Sequence, residues 1–270
     1  MLLFVCVLIA LFASLIGSIS GIGGGIIIKP VLDLTGQFPI QTVNFLSGIT
    51  VLTMTTSSLI QTFVRSKKPN SENQISINLR QVFFLSFGSI MGGFIGTMIF
   101  SLFMKQIGSQ DLAVLIQAVL ILLITIIVML YQANKKRIVT KNLVGFIPEF
   151  AVGLSLGTIS SFLGIGGGPL NIAILAFFFS MSPKTAALNS LTIIFSAQLI
   201  SLLTTIIEGS IPEFDPVILG GMMVSGVSGA LIGRFIAKKL SEEKTDSFFN
   251  IALWLILAIN IYNVAKSFIS

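Results

Sequence analysis

The stretch LAVLIQAVLILLITIIVMLY, Leu112 to Tyr131, holds twenty residues without one charge. As a helix it measures about 30 Å, the thickness of the hydrocarbon core of a bilayer. Runs of this character recur along the whole chain, which is 54% hydrophobic and only 10% charged, with a mean hydropathy of +1.01. Soluble domains carry charge on about a quarter of their residues, so the chain reads as an integral membrane protein. Histidine is absent and Cys6 is the only cysteine. That excludes disulfides within the chain, cysteine-rich metal sites and imidazole chemistry, and no cofactor is expected.

The net charge of +6 does not point to nucleic acid. The basic residues fall in short clusters between apolar runs: Arg65, Lys67 and Lys68; Lys135, Lys136, Arg137 and Lys141; Arg234, Lys238, Lys239 and Lys244. Such clusters mark loops on the cytoplasmic face of a membrane. Leu2 to Ser18 resembles the apolar core of a secretory signal, but it lacks a basic start and a matching run recurs internally, so it reads as a retained segment.

The chain also repeats itself. SGIGGGIIIKP, Ser20 to Pro30, is answered by LGIGGGPLNIA, Leu163 to Ala173, with Gly21 and Gly164 separated by 143 residues. After each motif come a short apolar stretch, a turn around Pro39 or Pro183, and a long run opened by Asn44 or Asn189. Gly88, Gly92 and Gly96 are answered by Ser225, Gly229 and Gly233, and small residues at every fourth position let membrane helices approach closely. This shared order implies two copies of one unit, 1–134 and 143–270, joined by a basic linker at 135–142.

Each copy holds five apolar segments: Leu2–Ser18, Gly25–Leu34, Thr42–Phe63, Leu79–Phe103 and Leu112–Tyr131, then Leu143–Leu163, Gly168–Phe179, Thr185–Ile207, Pro216–Ala237 and Ser247–Lys266. The second of each five is too short to span alone. Placing the clusters at Lys135 and Arg234 on one side demands an even number of crossings between them, so the short segment must itself cross. Five crossings per copy invert the second relative to the first. The expectation is an all-α polytopic protein of the cytoplasmic membrane with about ten segments in two inverted repeats and both termini outside.

In lipid every backbone N–H must be satisfied internally, so glycine-rich backbone at depth belongs against protein or a watery cavity. Gly21, Gly23, Gly24 and Gly25, like Gly164, Gly166, Gly167 and Gly168, precede a short helix whose N-terminus attracts an anion. The alternative role is tight helix crossing. Neither motif has the Lys-Ser/Thr pair of a nucleotide loop.

With their proline turns and Asn/Ser/Thr-rich following helices, the two GIGGG motifs resemble the TauE/SafE sulfite exporter family over both halves. The resemblance implies a membrane transporter for small sulfur-containing anions or related organic acids. The chain departs from the family pattern in four places. Pro30 lies five rather than four residues beyond Gly25, Lys29 occupies a position expected to be apolar, Pro169 directly follows Gly168, and NFLS at Asn44–Ser47 matches the family's helix start less well than LNSL at Leu188–Leu191.

Candidate ligand donors are Asn44, Ser47, Thr50, Asn171, Asn189, Ser190 and Gln198, for each of which interhelical hydrogen bonding is the alternative. Lys29 lies about one turn into the first short helix, where an ionisable group costs roughly 3 kcal/mol to insert and is a functional candidate. It can draw an anion toward Gly23–Gly25, or its long stem can carry the ammonium to an interface. Glu149 and Asp33 are expected at the cytoplasmic and outer interfaces. The expected partners are a small anionic substrate, a coupling proton or sodium ion, and lipid, with no oligomeric state indicated. Rival readings are an intramembrane enzyme, which lacks a nucleophile and base pair, a channel, and a divalent-cation carrier, against which stands the scarcity of carboxylates in the apolar segments.

Overall fold

Uncharged runs bounded by proline and glycine turns become helices, ten of them among the residues described by the computed structural model, 2–66 and 78–267. They are α1 (Leu2–Ser20), α2 (Gly25–Thr35), α3 (Ile40–Ser66), α4 (Leu79–Ile107), α5 (Gln110–Asn134), α6 (Phe146–Leu163), α7 (Pro169–Phe179), α8 (Pro183–Ile207), α9 (Pro216–Lys239) and α10 (Glu242–Ser267). All but α2 and α7 are long and apolar enough to span a membrane. The two short helices have eleven residues each, about 16 Å of axis. Lys67 and Lys68, at the core of the first basic cluster, lie outside the described residues.

Start signals follow the sequence. Asp215 caps α9 by accepting from the Val217 amide at 2.7 Å, and Pro216 and Pro183 take first-turn positions whose amides would have no helical partner. Pro169 has a further effect. The helical region is disfavoured for a residue before proline, and Gly168, with a φ of +153°, stays outside α7, which starts at Pro169, whereas α2 includes Gly25. Outward side chains are large and apolar, among them Phe83, Ile127, Val224 and Trp254, as a lipid-facing surface requires.

Glycine seams join the two halves. A Cβ on Gly88, Gly92 or Gly96 of α4 would meet the carbonyl of Phe150, Leu154 or Thr158 of α6, so these helices run parallel with backbones in contact. In α9, Gly229 and Gly233 lie against the Leu11 and Leu15 carbonyls of α1, again parallel. The small-residue spacing is therefore used for helix packing, and each seam pairs one half with the other.

Further contacts fix chain direction. Gly226 meets Thr50 and Arg234 donates to Thr62 at 2.7 Å, so α3 runs parallel to α9 and hence to α1. Ser89 donates to the Ile193 carbonyl at 2.8 Å and Thr97 to Ser201 at 2.9 Å, so α4 and α8 run parallel, and α6 with them. Since α1 and α3 point the same way, α2 must return the chain between them; α7 does the same between α6 and α8. The linker ends on α7, where the amides of Lys141 and Leu143 bond the Phe177 and Phe178 carbonyls at 2.7 and 2.9 Å. Lys135, Lys141, Lys239 and Lys244 thus share one end of the bundle, and Glu208, Glu213 and Asp215 lie at the other.

Candidate functional site

Both glycine motifs adopt left-handed backbone at matching places. Gly21 and Gly164 have φ of +77° and +64°, and Gly23 and Gly166 have +75° and +64°, a conformation costing other residues roughly 1–2 kcal/mol. The two breaks touch. A Cβ on Gly25 would strike the Ile165 carbonyl, and one on Gly23 would come 3.1 Å from the Gly166 carbonyl. The walls are matched as well: Gly23 faces Ile194 of α8, and Gly166 faces Val51 of α3, with Val51 and Ile194 again separated by 143 residues.

Two cavities open from opposite ends of α8 toward this crossing. The linker-side cavity, of about 250 Å³, is lined by Lys135, Thr140 and Pro183 and reaches Ser20, next to Gly21. The loop-side cavity, of about 240 Å³, is lined by Ser210 and Pro212 at its mouth, by Asn44 and Gly164, and by Gly48 and Gln198 one turn deeper along α3.

The Lys29 ammonium bonds side chains and not the glycines of its own motif. Its side chain is fully buried, its Nζ donates to Asn44 Oδ1 at 2.7 Å, and Asp33 Oδ2 lies 3.5 Å away. Asp33 lies in the last turn of α2, packed against protein with its side chain only 7% exposed. Glu149 is buried and accepts from the Gly145 amide at 3.4 Å, closing the start of α6.

The other candidates divide by whether their polar atoms are satisfied. Thr50 donates to its own helix at the Leu46 carbonyl, 2.7 Å away. Ser47 Oγ, Ser190 Oγ, Asn171 Nδ2 and Asn189 Oδ1 are buried with no protein partner, although Asn189 donates through its Nδ2 to the Thr185 carbonyl at 2.9 Å. Buried polar groups are ordinarily paired, which sets these atoms apart. Asn171 lies beside Gly167, and Gln198 lies between Gly48 and Gly166. The sequence reading missed Asp33 as the partner of Lys29, which the four-residue spacing on one helix offered. It also missed Ser161, whose buried hydroxyl faces the loop-side cavity unpaired and which carried no motif.

These helices, their apolar outer faces and their buried glycine crossing define a polytopic helical membrane protein. The sequence matches the family described as sulfite exporter TauE/SafE over residues 6–262, and the chain belongs to that family of membrane transporters. It is similar to the "Probable membrane transporter protein YunE" of Bacillus subtilis (strain 168), with 27% identity over 258 residues that cover 87% of this chain and 90% of that protein. No solved structure matches the chain.

Proposed function

We propose that the protein is a secondary transporter that moves a small anion, a sulfur oxyanion or an organosulfonate, by alternating access around its two glycine breaks. The reading is carried by the pair of cavities that open from opposite ends toward one glycine crossing, together with buried hydroxyl and amide groups that lack protein partners, Ser161 in the loop-side cavity and Asn171 beside Gly167 among them. Gly21, Gly23, Gly24 and Gly25 with Gly164, Gly166, Gly167 and Gly168 supply backbone that approaches the ligand. Ser47, Asn171 and Ser190 supply donors, joined by Asn44 and Asn189, and Lys29 contributes through Asn44. The halves are inverted repeats, a reading supported by the reciprocal seams and by the return of the chain through α2 and α7. The end carrying Lys135 and Lys239 faces the cytoplasm by the distribution of basic loops, so both termini lie outside. A proton or sodium ion provides the driving gradient.

Sulfite, thiosulfate, sulfoacetate and acetate are titrated against the thermal stability of the purified protein, because a ligand of the folded state alone stabilises it by mass action. Flux is then measured in liposomes with and without proton and sodium gradients. Saturable flux with competition between substrates marks a carrier, and non-saturating flux marks a channel. Stabilisation by divalent cations alone, or no anion flux above empty liposomes, overturns the proposal.

A further inference from the structure

One buried polar chain ends in the wall of the loop-side cavity: Asp33 beside Lys29, Lys29 bonded to Asn44, and Asn44 lining the cavity against Gly164. An ammonium only donates, so the atom it meets at 2.7 Å must be the carboxamide oxygen. That bond fixes which way round the amide sits. With Oδ1 engaged by Lys29, the part of the Asn44 carboxamide left without a bond to Lys29 is its NH₂, a pure donor. Asp33 balances the ammonium locally, so the arrangement provides an oriented donor without a net charge that would hold a departing anion.

The molecule contains its own comparison. The positions 143 residues beyond Lys29, Asp33 and Asn44 are Ile172, Ala176 and Ala187. Ala187 lies against Gly21 as Asn44 lies against Gly164, and Ile172 and Ala176 line the linker-side cavity. Matching positions thus meet the two glycines, once through the Asn44 carboxamide backed by a buried ion pair and once through the Ala187 backbone and methyl with aliphatic neighbours. Packing at this crossing does not require the charges. Burying them is costly, and apolar replacements of similar volume often serve stability as well or better.

We propose that Lys29 is a positioning residue: by holding Asn44 Oδ1 it turns the amide NH₂ into the loop-side cavity, where it binds an acceptor oxygen of the transported ion, whether oxyanion, sulfonate or carboxylate. This rests on the cavity being part of the substrate path. It makes Asn44, rather than the lysine charge, the group that touches substrate.

The test grafts the residues of the second half onto the first. Asn44→Ala, the pair Lys29→Ile with Asp33→Ala, and all three together are compared with the unaltered protein in affinity for sulfite, thiosulfate and sulfoacetate, read from ligand-dependent melting. Loss of one hydrogen bond to a charged ligand corresponds to about tenfold or more in Kd. The expected result is a loss of that size in Asn44→Ala, a similar loss in the Lys29/Asp33 pair, and no further loss in the triple variant, because both changes remove one interaction. Losses that multiply in the triple variant, or a Lys29/Asp33 pair that binds like the parent, overturn the proposal. So does a pair variant that does not fold, which assigns the ions to stability. If the unaltered protein binds none of the three anions, the substrate reading itself fails and takes this inference with it.

Discussion

A methyl group placed on Gly164 would land on the carboxamide of Asn44. Gly164 must also hold a φ of +64°, so two separate costs attach to a side chain there. The backbone term is roughly 1–2 kcal/mol and overpacking adds about 1–3 kcal/mol. Gly36 at the end of α2 separates them, with a φ of +61° and nothing within 4 Å of an added Cβ. Gly36→Ala should fold and keep ligand binding with a modest fall in melting temperature. Gly164→Ala should fall further and lose binding. Melting curves of the two purified variants with and without ligand decide this, and equal behaviour would remove the Asn44 contact from the account.

The seams yield a second comparison. Gly92→Ala drives a methyl into the Leu154 carbonyl, whereas Gly220→Ala adds one where nothing lies within 4 Å. An alanine is favoured over glycine inside a helix by about 1 kcal/mol. Gly220→Ala should therefore match or exceed the parent in melting temperature, and Gly92→Ala should fall below it despite its better helix propensity. The same loss is expected for Gly229→Ala, which presses on the Leu11 carbonyl in the other seam.

Much of this was legible because lipid makes the sequence rules strict. Uncharged runs gave the long helices, and the glycine spacing of Gly88, Gly92 and Gly96 became the α4 seam without change of register. The short helices α2 and α7 followed from motif and length. What remained hidden was partner choice across the bundle. Nothing near Lys29 in sequence says that Asn44, fifteen residues on in another helix, takes its ammonium. Nor does the sequence say that Asp33, in the last turn of α2, is packed against protein, where the cost of burying a charge is offset by a second buried charge one turn away. The parallel course of α3 and α9 likewise depends on tertiary contacts, Arg234 to Thr62 among them.

At the linker end, Asp246 of α10 receives Gln132 and Lys135 at 2.5 Å each and closes one side of the linker-side cavity. The Lys135 and Asp246 side chains are 32% and 23% exposed, so the pair should contribute about 1 kcal/mol or less to stability. Its effect should appear instead in access. In Asp246→Ala, a cysteine at Thr140 should react faster with a soluble thiol reagent while the melting temperature changes little. An unchanged labelling rate would show that the tie does not restrict the cavity mouth.

The direction of the chain is the most exposed consequence of the architecture. If α2 and α7 each carry the chain across, Lys136 and Lys239 are separated by four crossings and lie on one side, with Ser210 on the other. Cys6 is fully buried in α1, and Cys6→Ala removes the native thiol with the loss of little volume. In that background single cysteines at Lys136, Lys239 and Ser210 are tested in intact cells with a reagent that does not cross membranes. Ser210→Cys should label from outside, and Lys136→Cys and Lys239→Cys only after permeabilisation. Labelling of positions 136 and 239 from opposite sides would mean that α7 turns back within the membrane, and α6 and α8 would then have to run antiparallel, contrary to the shared direction fixed by Ser89 on Ile193 and Gly92 on Leu154.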